Sequence, residues 1–179
     1  MLSRGAIAAI AVVIVLLAVV LGRAQEVQYY NKHYRIVDHF LQDGGPKQAY
    51  TFARGQEDKR IGIAGSGEIF FGQYGYYGRN LNNDVQYIGV PGPNGTYRLA
   101  TSCAQFRRLV NAGDYDYLIV SQYTQDSPDS LYWYPIYAWI KTDPALQQII
   151  EEPEITPEAD YVFKVKGRLD PAGCGDLGG

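Results

Sequence analysis

Gly65-Ser66-Gly67 is the stretch of this chain with the clearest means of gripping a ligand. It follows a short apolar run (Ile61, Ile63, Ala64), and a glycine loop at a strand end can aim backbone amides at an anion. The dinucleotide fingerprint also needs a third glycine and a helix opening at once. Here Phe70 stands where that glycine belongs, and Phe71-Gly72-Gln73-Tyr74-Gly75 carries no firm helical pattern. The competing reading is a tight turn, for which glycine supplies positive φ at no steric cost. Gln73 and Tyr74 follow the loop, and Ser121, Gln122 and Tyr123 open a polar loop, through Asp129, at the C-terminal end of a second apolar run. Together with Gly65, Ser66 and Gly67 they are the candidate ligand-binding residues, placed at a crevice where strands end.

Other chemistry-bearing residues point to less. Asp114, Asp116, Asp126 and Asp129 are grouped only loosely, and as a set they read as solvated surface. A carboxylate pair for acid–base work needs no sequence signature, so that chemistry stays open. His33 and His39 stand six positions apart and do not share a helix face. No catalytic residue, metal site or cofactor is assigned. Cys103 and Cys174, the two cysteines, admit two readings. In a domain outside the membrane they form a disulfide that staples the tail to a helix; in a cytosolic domain they are free thiols.

Composition narrows the class. The formal net charge is −3, and no Lys/Arg cluster is dense enough to follow a phosphate backbone, which excludes nucleic acid as a partner. Hydrophobic residues make up 46%, ordinary for a globular chain, and removing an apolar N-terminus from 179 residues leaves enough for one compact domain. Sixteen tyrosines suit half-buried surfaces and interfaces, because each ring carries a polar tip.

The elements that position these residues begin with a membrane segment. Gly5 to Gly22 is uncharged and near the minimum length for crossing a hydrocarbon core of about 30 Å, which makes the bilayer a partner. Its apolar run exceeds a usual signal-peptide core, which favours a retained anchor, with a cleaved signal as the rival. Arg4 and the free amino terminus set against Arg23 place the N-terminus in the cytoplasm and the domain outside. Apolar spacing at Val27, Tyr30, Tyr34, Val37 and Leu41 carries a helix onward out of the span. A short helix from Pro46 to Arg54 comes next.

Strands are expected at Arg60–Ala64, Val85–Val90, Tyr115–Val120 and Tyr161–Lys166, the last an edge strand guarded by its lysines. A turn is expected at Pro91-Gly92-Pro93-Asn94-Gly95. Ser102-x-x-Gln105 opens a capped helix with Phe106, Leu109 and Val110 on its apolar face and Gly113 as its C-terminal cap. Asp143-Pro144 opens another, with Leu146, Ile149 and Ile150 facing inward. Leu131 to Ile140 is intensely aromatic and suits a lid, an interface or core filler. The fold class is α/β: one N-terminal transmembrane helix, then a small three-layer domain with a mostly parallel sheet of about four strands. Residues 1–24 form the anchor, 25–59 a helical stalk and connector, 60–167 the α/β domain and 168–179 a loop tail.

A family resemblance runs through the same residues. Ile61-Gly62-Ile63-Ala64-Gly65, Gln73-Tyr74-Gly75-Tyr76-Tyr77-Gly78, Leu81-Asn82-Asn83, Val85-Gln86-Tyr87-Ile88-Gly89 and Gly92-Pro93-Asn94-Gly95 carry its first half. Thr101-Ser102-Cys103-Ala104-Gln105-Phe106, Asp116-Tyr117, Asp143-Pro144-Ala145 and Gly167 through Cys174 carry its second. The series resembles the C-terminal extracytoplasmic domain of polytopic GT-C glycosyltransferases, related to protein mannosyltransferases and best represented among actinobacteria. In that family many transmembrane helices precede this region, the catalytic acid lies in an early extracytoplasmic loop, and the donor is a polyprenyl-phosphate-linked sugar. This sequence keeps one span, matching the last helix before that domain, so no catalytic residue carries over. The resemblance implies an extracytoplasmic, truncated, split or stand-alone relative of the transferase's terminal domain. The first reading is therefore a non-catalytic accessory domain beside a multi-span glycosyltransferase subunit or in contact with glycan. The alternative is a stand-alone ligand-binding or small enzymatic domain using the strand-end crevice.

Overall fold

A computed structural model describes residues 3–41, 47–65, 73–123, 135–151 and 158–174. The chain begins with α1 (Arg4–Leu41), an unbroken helix of 38 residues and therefore about 57 Å long. No charge interrupts it between Arg4 and Arg23, and Ile7 through Leu21 keep their aliphatic side chains exposed. It is long and apolar enough to cross a membrane. Beyond the apolar run it continues without a break to Leu41, as the spacing from Val27 onward predicts.

The rest is a mixed α/β domain. Next along the chain are α2 (Lys47–Arg54), β1 (Arg60–Gly65), a 3-10 turn (Gln73–Tyr76), β2 (Asp84–Tyr87) and the hairpin β3 (Val90–Pro91) and β4 (Tyr97–Arg98). They are followed by α3 (Cys103–Gly113), β5 (Tyr117–Tyr123), α4 (Ile136–Ile140), β6 (Leu146–Glu151) and β7 (Glu158–Val165). The main sheet among the described residues has five strands in the order β2-β1-β5-β7-β6. β1 pairs in parallel with β2 and β5, whereas β7 is antiparallel to both β5 and β6.

Strand alternation feeds two cores on opposite faces. Ile61, Ile63, Ile119 and Val162 pack under α2 with Ala49, Tyr50, Ala53 and Tyr76. Ala64, Leu118, Val120 and Phe163 pack on the other face under α3 and α4, against Phe106, Val110, Ile136, Trp139 and Ile140. The intensely aromatic stretch thus ends as core filler in α4; residues 131–134 lie outside the described residues.

Helix α3 starts as its sequence dictates. Ser102 Oγ accepts from Gln105 N at 3.3 Å, and Gln105 Oε1 accepts from Thr101 N at 2.8 Å. At its other end the left-handed residue is Asp114 (φ 51°), one place later than expected. Gly113 is required for a different reason, because a Cβ there would lie 2.0 Å from the Tyr115 ring.

The α/β class and the N-terminal apolar helix are as expected, and four finer expectations are corrected. The sheet of about four strands has five, and it is mixed rather than mostly parallel, because β6 and β7 add antiparallel pairing to a parallel start. The segment after Asp143-Pro144 is strand β6, not a helix. Leu146, Ile149 and Ile150 do not share an inward face: the register shift between Gln148 and Ile150 leaves Ile149 exposed and sends Leu146 and Ile150 to the two opposite cores. β7 is not an edge strand, since β6 covers its outer side. The run Val85–Val90 is divided: Ile88 and Gly89 leave the sheet, and Val90 joins the small hairpin.

Candidate functional site

The sheet order places a switch point between β1 and β5. From β1 the chain moves to β2 on one side; from β5 it moves to α4, β6 and β7 on the other. Connections that diverge from adjacent parallel strands open a crevice at their C-terminal ends, the usual ligand position in such sheets. Gly65 ends β1 and is the direct register partner of Ser121, two residues before the end of β5, so the structure brings these two candidate residues together.

Their local geometry accounts for the residue types. Gly65 has φ +128°, and a Cβ on it would come 1.9 Å from the carbonyl oxygen of Ser121. Only glycine permits that approach, which gives this residue a packing role in the strand pair. Ser121 is buried. Ser121, Gln122 and Tyr123, expected to open a loop, instead complete β5, where they pair with β7, and Gln73 and Tyr74 open the 3-10 turn. Ser66 and Gly67 lie outside the described residues, as do Asp126 and Asp129.

The antiparallel return of β7 adds residues that sequence reasoning missed. Asp160 is the register partner of Ser121, and Glu158 that of Tyr123, so two acidic positions lie beside the C-terminal end of β5. Their only signal is acidity at the start of an apolar strand, which does not reveal what lies alongside.

At the opposite end of the parallel strands, Arg60 Nε pairs with Asp84 Oδ2 at 3.1 Å, and Asp116 Oδ2 accepts from Arg60 N at 2.9 Å. Asp114 and Asp116 are exposed, as expected of solvated carboxylates. Tyr97, more than half exposed, stands edge-on to Tyr87 with centroids 6.1 Å apart. Burial raises the Tyr87 hydroxyl above its ordinary pKa. The Tyr115 hydroxyl is also raised, chiefly by burial and further by Asp84 and Tyr97, with Arg60 opposing.

Three buried polar side chains, Asn83, Arg107 and Asp143, hold the fold together. Asn83 Nδ2 donates to the carbonyls of Ala53, Gln56 and Tyr76 at 3.1–3.3 Å, and its Oδ1 accepts from Lys59 N at 3.0 Å. Arg107 and Asp143 form a buried ion pair beneath α4. A disulfide joins Cys103 to Cys174, with Cα atoms 5.9 Å apart. Among the described residues, no group of three or more His, Cys, Asp or Glu is placed to hold a metal ion. His33 and His39 both lie in α1. An open, mainly apolar groove of about 470 Å³ runs beside α2, lined by Gln48, Thr51, Phe52 and Ile150.

No protein-family model, curated protein or solved structure matches this chain.

Proposed function

We propose that this chain is a single-pass membrane protein with its α/β domain outside the cytoplasm. It serves a GT-C type glycosyltransferase system as a non-catalytic accessory module, packing on a multi-span subunit or contacting glycan. The observation that carries this reading is the Cys103–Cys174 disulfide in a chain that also bears a helix of membrane-spanning length. Disulfides persist in oxidising compartments, which lie beyond the cytoplasmic membrane. Arg4 and the amino terminus, on the far side of the apolar run from Arg23, support the same orientation. The glycosyltransferase association rests on the sequence resemblance that runs from about Tyr30 onward.

The test is an activity comparison. Full-length protein in lipid nanodiscs, given polyprenyl-phosphate-linked sugars and acceptor, is expected to transfer nothing by itself. Added to membranes from cells lacking it, the same protein is expected to restore transfer. Sugar transfer or hydrolysis by the protein alone would overturn the accessory reading. It would favour a stand-alone domain using the crevice, a second reading supported by the switch point at Gly65 and Ser121.

A further inference from the structure

Arg23 ties the apolar helix to the folded domain. It stands two positions beyond Leu21, where the exposed aliphatic run ends. Its Nη2 donates to the carbonyl of Asn80 at 2.9 Å, while Nη1 pairs with Glu26 at 2.7 Å. The loop holding Asn80 is fastened in turn to the residues that enter β1. Asn80 Nδ2 donates to Glu57 Oε1 at 2.6 Å and Asn82 Nδ2 donates to Asp58 Oδ1 at 3.0 Å. Lys59 N donates to Asn83 Oδ1 at 3.0 Å. The 3-10 turn before this loop also touches α1.

We propose that the domain sits directly on the bilayer, with the Tyr77–Asn82 loop and the Glu57–Lys59 turn against the phospholipid headgroups. This rests on reading α1 as a membrane anchor. Because α1 is continuous through Arg23, the span fixes the height of that residue above the hydrocarbon. The headgroup region adds only about 5–8 Å on each side of a core of about 30 Å, so a carbonyl held by Arg23 lies within it. The exposed residues there suit zwitterionic headgroups. Arg79 offers a cation to phosphate, and Glu57 and Asp58 offer carboxylates to the amine. Gly65 and Ser121, at the other end of the β1–β5 pairing, then lie away from the membrane.

Nitroxide labels on the full chain in phospholipid nanodiscs test this, at Val15→Cys, Arg79→Cys and Thr101→Cys in separate proteins that keep the native disulfide. Thr101 adjoins the start of α3, a helix about 16 Å long whose other end leads into β5 at the membrane-facing edge. With a nickel-chelating lipid in the bilayer, the label at 79 is expected to relax several-fold faster than the label at 101. Arg23→Ala is expected to narrow that gap. Equal relaxation at 79 and 101, with the Val15 label in lipid, would overturn the seating and leave the anchor standing. A Val15 label reached by a water-soluble relaxant would overturn the anchor reading, and the seating with it.

Discussion

Arg107 and Asp143, each with a side chain no more than 2% exposed, meet at 2.8 Å between α3 and the turn into β6. Both are fully satisfied. Arg107 Nε and Nη2 donate to the Trp139 carbonyl at 3.0 and 2.7 Å, and Nη1 donates to the Asp170 carbonyl at 2.7 Å. Asp143 Oδ1 accepts from Ala145 N at 2.9 Å. One ion pair thus fastens α3, α4, the approach to β6 and the C-terminal tail.

Removing one partner strands the other charge in the core. Arg107→Ala or Asp143→Ala is expected to cost about 3–5 kcal/mol in urea unfolding followed by Trp fluorescence. The double variant is expected to lose less than the sum, because the two sites share one network. Additive losses would show that the pair is not energetically coupled.

The disulfide closes a segment of 71 residues, which on the chain-entropy model stabilises the fold by about 4 kcal/mol less any strain. Reduction, or Cys103→Ala with Cys174→Ala, is expected to lower the urea midpoint accordingly. Amide exchange should rise first around Leu169, whose N–H and carbonyl are held by Asn111. An unchanged midpoint would mean that the Arg107 and Asn111 contacts hold the tail unaided.

Two glycines with positive φ should respond differently to substitution. At Gly65 a Cβ would lie 1.9 Å from Ser121 O, so Gly65→Ala is expected to disrupt the β1–β5 pairing. At Gly95 (φ +73°) nothing lies within 4 Å of an added Cβ, so Gly95→Ala should cost only about 1–2 kcal/mol of backbone strain. Thermal unfolding of the two variants checks the order. Equal losses would contradict it.

How far the sequence revealed this fold depended on how locally each element is specified. The apolar helix, the capping of α3 by Ser102 and the strands around Ile61, Leu118 and Val162 follow from nearby residues. β6 did not, because Leu146, Ile149 and Ile150 satisfy a helical period and only pairing with β7 decides the matter. Asp143 read as a helix cap; its carboxylate is instead buried against Arg107, a contact 36 positions away in sequence that no local pattern announces. Gly65 was legible as a strand end, whereas Ser121 read as the start of a loop and lies inside β5, because pairing with β7 carries that strand on to Tyr123. Asp160 and Glu158 became neighbours only through the antiparallel return of β7.

Tyr87 and Tyr115 bear on stability at high pH. Burial raises both hydroxyls above the ordinary value of 10.0, so above that pH the folded state holds protons that the unfolded state releases. Their contribution is fully present below pH 10.0 and is lost as pH rises through the folded values. Unfolding free energy is expected to fall across that window, and less steeply in Tyr115→Phe. An identical slope in wild type and variant would contradict it.

The accessory role is tested most directly by isolating the tagged full-length chain from native membranes with mild detergent and identifying what accompanies it. The expected companion is a multi-span protein that lacks this domain and whose transfer from a polyprenyl-phosphate sugar depends on the chain. Recovery of the chain without any such partner, together with sugar turnover by the purified chain itself, would contradict the account.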